Sequence, residues 1–304
     1  METTEQSMPS DIIPTRNYTS ASEKSLWWYI KRTNKDYYGV GNGKSRYDGV
    51  WPQAFRTRRS YSGFTTRGYE QREMWTQALR ITLGNNNDIG ALVRLTNSYF
   101  LVGGEDEAEN FCRTVQGDLP DIPVIRTSLS GCRVIGRMCV GNNHGLLVPE
   151  AIYDTELDHI RDKIPEPIQI KKIEERLSAL GNVVVCNDQV ALVHPELDKE
   201  SEEMIEDTLQ VEVFRHVIAN NPLVGSYCVL NNNGGLVHVD ISQTDLEDLS
   251  SLLGLPLIPG TVNYGNKAVA AGVAANDTIA YAGMKTTSRE FLAIEEAFRL
   301  PGRG

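Results

Sequence analysis

The feature that most constrains the fold is an internal repeat with a period of about 45 residues. An asparagine at a turn-like position marks each copy, and successive copies lie 45, 45, 44 and 45 residues apart. The five marked pairs are Asn97-Ser98, Asn142-Asn143, Asn187-Asp188, Asn231-Asn232 and Asn276-Asp277. Five equal copies indicate either an open array, which needs polar caps at both ends, or a closed ring.

Each asparagine pair lies between two short apolar stretches that are typical of β-strands. Asn, Asp and Gly tolerate the positive φ of tight turns, so each copy predicts a β-hairpin. The predicted strand pairs are Ala91–Leu95 with Tyr99–Val102, Arg137–Val140 with Leu146–Val148, Val183–Cys186 with Val190–Val193, Tyr227–Leu230 with Leu236–Val239, and Val269–Ala274 with Thr278–Tyr281. A glycine precedes most of the first strands, at Gly90, Gly136, Gly181 and Gly225.

An amphipathic helix is predicted after each hairpin, because apolar residues recur there at helical spacing. The most polar of the five covers about Asp198–Leu209. Two of the helices carry capping-box patterns, Thr244 with Glu247 and Thr287 with Glu290, in which hydroxyl and carboxylate satisfy free backbone N–H groups of the first turn. These patterns predict where the fourth and fifth helices begin.

A third strand is predicted after each of the first four helices, at Ile122–Ile125, Ile168–Ile173, Val211–Phe214 and Leu255–Ile258. Only Pro301–Gly304 follows the fifth helix, whereas Leu79–Leu83 precedes the first hairpin and belongs to no complete unit. A ring in which this N-terminal strand completes the fifth unit leaves no exposed sheet edge. The sequence therefore predicts an α/β fold, a five-bladed pseudosymmetric propeller closed by its N-terminal strand, over residues 74–304. Its five repeats cover about 80–118, 122–164, 168–209, 211–254 and 255–300.

Charge divides the chain into two parts. Residues 1–79 carry 12 Lys or Arg and 8 Asp or Glu, whereas residues 80–304 carry 18 and 32, a net charge of −14. A body this negative repels phosphate backbones, so on a nucleoprotein particle we expect it to contact basic proteins rather than RNA.

Cysteine usage and hydropathy exclude several classes of protein. The five cysteines are odd in number and never spaced C-x-x-C, which argues against a disulfide framework and a structural zinc site. No apolar stretch approaches the roughly 20 residues of a membrane span, and the first thirty residues lack a secretory signal pattern. We therefore expect a cytosolic or nuclear protein with no membrane association.

Eight blocks within residues 80–300 resemble the eukaryotic translation initiation factor 6 family, whose fold is the five-fold pseudosymmetric propeller called the pentein. The blocks are GCRVIGRMCVGN at 131–142, HGLLVP at 144–149, EERLSALGN at 174–182, CND at 186–188, ALVHP at 191–195, VEVFR at 211–215, VGSYC at 224–228 and GTVN at 260–263. Eight blocks in order and at the family's spacing are far more specific than a single motif.

The resemblance implies a ribosome anti-association factor. Such a factor binds the intersubunit face of the large (60S) ribosomal subunit, mainly through ribosomal protein near the sarcin–ricin loop, and prevents premature joining of the small subunit. It also assists large-subunit biogenesis and nuclear export, and a GTPase acting with a second maturation protein releases it. We therefore expect a monomer that is cytoplasmic and nuclear or nucleolar, with no cofactor, metal or catalytic residue.

Six non-apolar residues at hairpin edges are candidate ribosome contacts: Arg137, Asn142, Asn182, Asn187, Asp188 and Tyr227. Turn geometry is the alternative for Asn142 and Asn187, which occupy the repeated turn position, whereas Asn182 lies outside it. Pairing with carboxylates inside the ring is the alternative for Arg137.

Ser250 and Ser251, on the fourth predicted helix, are candidate phosphorylation sites. Packing beside the neighbouring leucines is their alternative explanation.

An enzymatic pentein is the competing hypothesis. Such enzymes modify guanidino groups with a Cys nucleophile in the last blade, a His general base and carboxylates that hold the cation. No cysteine follows Cys228 here, and the fifth hairpin is small and apolar. Cys139, Cys186 and Cys228 occupy similar places in three successive repeats, which favours core packing. We therefore expect no enzymatic activity.

The chain departs from the family at both ends. The family ordinarily begins near Met74 and has a phosphorylatable C-terminal tail. The sequence ends at Gly304, so we expect no regulation through such a tail. Residues 1–75 contain 13 of the 23 aromatic residues, and arginines alternate with aromatics in Arg56–Arg72, a composition able to bind single-stranded RNA. Because residues 1–73 show no helical or strand periodicity, however, we predict that they are mostly disordered. Translation that starts at Met74 is a further alternative.

Overall fold

The computed structural model describes residues 78–104 and 108–300, so the predictions made for residues 1–73 lie outside its range. Within these ranges the strands are β1 Ala78–Ile81, β2 Val93–Leu95, β3 Phe100–Gly103, β4 Val124–Thr127, β5 Val140–Gly141, β6 Gly145–Pro149, β7 Gln169–Ile173, β8 Val184–Cys186, β9 Val190–Val193, β10 Glu212–Arg215, β11 Cys228–Leu230, β12 Gly235–His238, β13 Leu257–Gly260, β14 Val273–Ala275 and β15 Ala280–Gly283.

The helices of the described chain are of two kinds. Five longer helices are the predicted amphipathic ones: α2 Ala108–Asp118, α4 Asp154–Arg161, α6 Lys199–Leu209, α8 Gln243–Leu253 and α10 Ser288–Phe298. Five four-residue helices each precede the first strand of a hairpin: α1 Ile89–Leu92, α3 Ile135–Met138, α5 Leu180–Val183, α7 Val224–Tyr227 and α9 Val269–Gly272. We call these five the helical turns.

The strands form five three-stranded sheets, which confirms the predicted mixed α/β propeller. In each sheet an antiparallel hairpin takes a parallel third strand, as when β2 pairs with β3 and β3 pairs with β4. The third strand comes from the next sequence repeat, so every sheet crosses a repeat border. In the fifth sheet β1 pairs in parallel with β15, with Ala78 opposite Ala280 and Ile81 opposite Gly283.

The apolar core lies between the longer helices and the sheets. In α6, Ile205 and Leu209 are fully buried against Val193 and against Leu147 of the preceding unit. Burying each such side chain contributes about 1.5–3 kcal/mol. Because the cluster contains residues from two neighbouring units, the units stabilise one another.

The predicted first strands extend too far toward the N-terminus. Their opening residues form the helical turns instead, and the glycine of each motif lies inside the turn rather than before the strand. A Cβ at Gly136 would lie 2.0 Å from Gly90 O, and a Cβ at Gly181 would lie 2.0 Å from Gly136 O. Glycine is required because consecutive helical turns approach one another backbone to backbone. The helical turns contact each other in cyclic order, α9 meeting α1.

One capping prediction is confirmed and the other is wrong. Thr287 and Glu290 form both bonds of the box, since Thr287 N donates to Glu290 Oε2 at 2.7 Å and Glu290 N donates to Thr287 Oγ1 at 3.4 Å. Thr244 is not a cap. Helix α8 begins earlier, because Ser242 is also a good N-cap residue and its Oγ accepts from Asp245 N at 3.1 Å.

Candidate functional site

The first polar position of each hairpin turn is buried and connects one unit to the next. Asn231 shows the arrangement. Its Oδ1 accepts from Asn233 N at 3.0 Å and from Gly234 N at 2.9 Å, which holds the turn. Its Nδ2 donates to Asn276 O and to Phe298 O, both at 3.0 Å, so the same side chain fastens the fifth unit.

The candidate contacts Asn142 and Asn187 repeat this arrangement. Nδ2 of Asn142 donates to Asn187 O at 3.0 Å, and Nδ2 of Asn187 donates to Asn231 O at 3.2 Å. Their exposed fractions are only 3% and 6%. Turn geometry therefore accounts for both residues, and their side-chain amides are not free to contact a ribosome.

The register predicted for the first hairpin turn is wrong by one residue. Thr96, and not Asn97, occupies the turn-holding position, because Thr96 Oγ1 accepts from Ser98 N at 3.2 Å and from Tyr99 N at 3.0 Å. A threonine hydroxyl substitutes for the amide oxygen here, so counting asparagines alone misaligned this repeat. Asn276 completes the series by donating to Thr96 O at 3.1 Å.

The first strands of the five hairpins, β2, β5, β8, β11 and β14, line the ring centre, and we call them the inner strands. At one end of these strands the second turn position of each hairpin contributes to a polar ring, which we call the turn mouth. Its members are Asn97, Asn143, Asp188, Asn232 and Asp277. The half-buried Asp188 accepts from Asn143 N at 2.9 Å through Oδ1 and from Asn232 Nδ2 at 2.7 Å through Oδ2. Asp277 Oδ2 accepts from Asn97 Nδ2 at 2.8 Å. Two carboxylates therefore lie at this mouth.

Arg137 lies in a helical turn, at the opposite end of the inner strands, and not at a hairpin edge. Its Nη1 donates to Gly225 O at 3.2 Å. The predicted alternative of an ion pair inside the ring is wrong, since Arg137 has no carboxylate partner at ion-pair distance among the described residues. Burial, and then the charge of Arg94, lower the pKa of Arg137 to about 10, so it remains cationic at neutral pH.

Asn182 and Tyr227 also lie in helical turns. Asn182 Oδ1 accepts from Ser226 Oγ at 3.1 Å, which links α5 to α7. Tyr227 packs edge-on against His238 of its own unit, with ring centroids 5.1 Å apart. The structure thus brings Arg137 and Asn182 together on adjoining turns α3 and α5, whereas Asn142, Asn187 and Asp188 lie at the other end of the inner strands.

Arg94 is a residue at the ring centre that sequence reasoning missed. It lies in the middle of β2, and its Nη2 donates to Gly136 O at 2.9 Å and to Cys139 O at 2.8 Å. Aligning the helical turns places small apolar residues at the equivalent position of the other repeats, namely Val140, Val185, Val229 and Ala274. The arginine at this position, where the other four repeats have apolar residues, could therefore have been recognised from the sequence.

Glu290 holds a loop on the side of the helical turns. It accepts from Gly265 N and Thr287 N, both at 2.7 Å, and from Thr261 Oγ1 at 2.8 Å. Burial alone would raise the pKa of this carboxyl, but the hydrogen bonds outweigh it and lower the pKa. Ionised Glu290 therefore stabilises the loop.

The three cysteines noted in successive repeats are core residues. Cys139, Cys186 and Cys228 are 0%, 9% and 1% exposed. Burial raises the pKa of Cys139 to about 11 and of Cys186 to about 12, and it also raises the pKa of Cys228. They are not all equivalent, however: in the aligned repeats Cys186 stands two places beyond Cys139 and Cys228. At neutral pH all three are thiols and hence poor nucleophiles.

The two candidate phosphorylation sites differ in accessibility. Ser250 is half-buried, and its Oγ accepts from Leu257 N at 3.2 Å, whereas Ser251 is exposed.

The described residues contain neither a metal-binding cluster nor a membrane-spanning helix. No group of three or more His, Cys, Asp or Glu residues is arranged to hold a metal ion there. No helix among these residues has the length and apolarity needed to cross a membrane.

Comparison with known proteins agrees with the resemblance seen in the sequence. Residues 78–297 match the model of the eIF-6 family. Over 226 residues the chain is 53% identical to eukaryotic translation initiation factor 6 of Drosophila melanogaster and 52% identical to that of Saccharomyces cerevisiae. It is also 50% identical to eukaryotic translation initiation factor 6-2 of Arabidopsis thaliana. Each alignment covers 73% of this chain and 91% of the relative.

Among solved structures, the N-terminal domain of ArgZ, bound to a reaction intermediate, matches with a TM-score of 0.37 and 13% identity, over 56% of this chain and 66% of that one. A similarity this low carries no functional argument.

Proposed function

The chain belongs to the eIF-6 family, and we propose that it binds the large ribosomal subunit and prevents premature association with the small subunit. The observation that carries the proposal is the family match over residues 78–297, together with identities of 53% and 52% to initiation factors from fly and yeast.

A factor of this kind acts by occupying volume. A body docked on the joining face excludes the other subunit without turnover or a cofactor, provided that it does not deform. The fold supports this rigidity, since side-chain amides fasten each unit to the next, as in the bond of Asn231 to the fifth unit. Backbone contacts between the helical turns, such as that of Gly181 with Gly136, leave no space for these units to slide.

The partner that we propose is basic ribosomal protein near the sarcin–ricin loop. Residues 80–304 carry a net charge of −14, and Asp188 and Asp277 lie at the turn mouth. Opposite charge on a ribosomal protein would speed encounter and fix orientation more than it would add affinity. We further propose that the protein acts as a monomer in the cytoplasm, nucleus and nucleolus, assists large-subunit biogenesis and export, and is released by a GTPase with a maturation partner.

We also propose that the protein is not an enzyme. The guanidino-modifying alternative requires a reactive thiolate late in the chain, and no cysteine follows Cys228. Burial raises the pKa of the Cys139, Cys186 and Cys228 thiols. Both observations favour a binding protein.

The first test is sedimentation of the full chain with purified, salt-washed subunits. The protein should pellet with large subunits and not with small ones, and binding should weaken as salt screens the acidic body. Equal pelleting with both subunits, or with neither, contradicts the proposal.

A pair of variants tests the contact residues that the structure leaves available. Only a minority of interface residues cost more than about 1 kcal/mol on truncation, and we propose that Asn182 is one of them, so Asn182→Ala should weaken binding to large subunits by about fivefold or more. Asn110→Ala, which changes an exposed asparagine on the outer helix α2, is the matched control and should stay within about twofold of the unmodified protein. Equal affinities for the two variants would remove Asn182 from the interface.

A further inference from the structure

We propose that the centre of the ring is an anion site, in which Arg94 and Arg137 hold a small inorganic anion of about the size of chloride. The site lies in a cavity of about 60 Å³ that is lined by the inner strands and helical turns of all five units. The site shares Arg137 with the candidate ribosome contacts, but anion binding does not depend on the proposed ribosome-contact function.

In the described part of the chain, the two guanidinium groups lack an acidic partner. Arg94 donates through Nη2 to the carbonyl oxygens of Gly136 and Cys139, and its side chain also interacts with the Cys139 thiol. Arg137 donates through Nη1 to Gly225 O. Among the described residues neither arginine has a carboxylate within ion-pair distance. Asp88 acts on Arg137 only through longer-range charge interaction.

Arg94 also has an unused donor. Its Nε is buried and has no hydrogen-bond partner within residues 78–104 and 108–300. Burying a charged donor without a partner costs more than the loss of an ordinary hydrogen bond, so such groups are normally satisfied. An anion in the cavity would satisfy it and neutralise the charge at the same time.

The two cations also oppose each other. The Arg94 charge lowers the pKa of Arg137, which places both in one electrostatic environment. The acidic residues at the turn mouth do not relieve this repulsion by direct contact, because the Asp188 and Asp277 carboxylates accept from asparagine groups. Two like charges in a shared cavity favour binding of a counter-ion between them.

The size of the cavity restricts the class of ligand. A buried water needs about 10–15 Å³ of cavity volume, so about 60 Å³ holds roughly four water-sized groups: enough for a small inorganic anion with water, but not for a nucleotide or a sugar acid. The walls beside Arg94 are formed by Val185, Val229 and Ala274, which offer no competing donor. Small inorganic anions are therefore the class that fits, and chloride is the member used in the test.

Thermal unfolding of the full chain tests the site. At constant ionic strength, chloride replaces gluconate, which is too large for the cavity. If the dissociation constant is about 10 mM, raising chloride from 5 to 150 mM should raise the melting temperature by about 3–5 °C. Arg94→Met should reduce this rise to below about 1 °C. Arg113→Met, which removes an exposed arginine paired with Glu109, should keep the full rise.

Diffraction from crystals of the full chain in bromide supplies a test that needs no variant. An anomalous peak between the two guanidinium groups is expected. A cavity that contains water alone, equal melting in chloride and gluconate, or equal loss of the chloride effect in both arginine variants would overturn the proposal. The last outcome would indicate ordinary screening of the protein surface.

Discussion

Replacing Gly181 by alanine should destabilise the ring severely, although the position is helical and alanine is ordinarily the better helix former. The added Cβ would lie 2.0 Å from Gly136 O, 2.9 Å from Gly136 C and 3.0 Å from Arg137 Cα. Ordinary contacts of this kind are about 3.5–4.0 Å, so α5 would have to move more than 1 Å away from α3. Turn α7 blocks that movement, because a Cβ at Gly225 would itself lie 2.5 Å from Gly181 O.

The loss of stability depends on how far the backbone of α5 must move. Overpacking against side chains typically costs about 1–3 kcal/mol, and backbone neighbours yield less than side chains. We therefore expect a loss of about 3 kcal/mol or more for Gly181→Ala. In a domain of this size, about 1 kcal/mol shifts the melting temperature by roughly 2–4 °C, so melting should fall by about 6–12 °C.

Gly117→Ala is the matched control. Gly117 also lies in a helix, α2, but its added Cβ would meet nothing within 4 Å. Helix propensity should then raise the free energy of unfolding by about 0.5–1 kcal/mol. Differential scanning calorimetry of both variants measures the contrast. If Gly181→Ala melts within 2 °C of the unmodified protein, the close approach of the helical turns is wrong.

Three further predictions concern hydrogen bonding, pH and thiol reactivity. Asn231→Ala removes four hydrogen bonds and should lower the free energy of unfolding by about 2–4 kcal/mol. In urea the unfolding midpoint should fall while the dependence of this free energy on urea concentration stays the same. An unchanged midpoint would show that Asn231 does not fasten the fifth unit. Hydrogen bonds lower the pKa of Glu290, so its contribution to the free energy of unfolding is complete above the unfolded pKa of about 4.5 and is lost as pH falls through the lower folded pKa. The free energy of unfolding of Glu290→Gln should therefore vary less between about pH 5 and 3 than that of the unmodified protein. Equal dependence on pH in the two proteins would refute this. Iodoacetamide at pH 7.5 should leave Cys139, Cys186 and Cys228 unmodified in the native protein and alkylate them after denaturation; mass spectrometry of the peptides detects either result.

Much of the architecture was predictable because it is repeated. The 45-residue period fixed the number of hairpins and longer helices, and the third strands followed from their order. Predictions for single residues were wrong where a different side chain can accept the same backbone N–H hydrogen bond. Thr96 holds its turn as the asparagines do, and Ser242 caps a helix for which Thr244 was expected.

The ring centre could not be predicted from periodicity alone. Apolar residues after a glycine indicate a strand, but four residues that include this glycine also fit one helical turn, and only packing between units decides between the two. Arg137 and Asn182 were therefore placed at hairpin edges, although they lie in α3 and α5. The partners of Arg94 are backbone carbonyls more than 40 residues away, which no local pattern encodes.

The most direct test of the central claim is a subunit-joining assay monitored by light scattering. Large subunits saturated with the full chain are mixed with small subunits under conditions that otherwise yield complete joining. Joining should fall in proportion to the fraction of large subunits occupied, whereas preincubation of the small subunits at the same low protein concentration should add no further inhibition. Unchanged rate and extent of joining, with occupancy confirmed by sedimentation, would contradict the central claim.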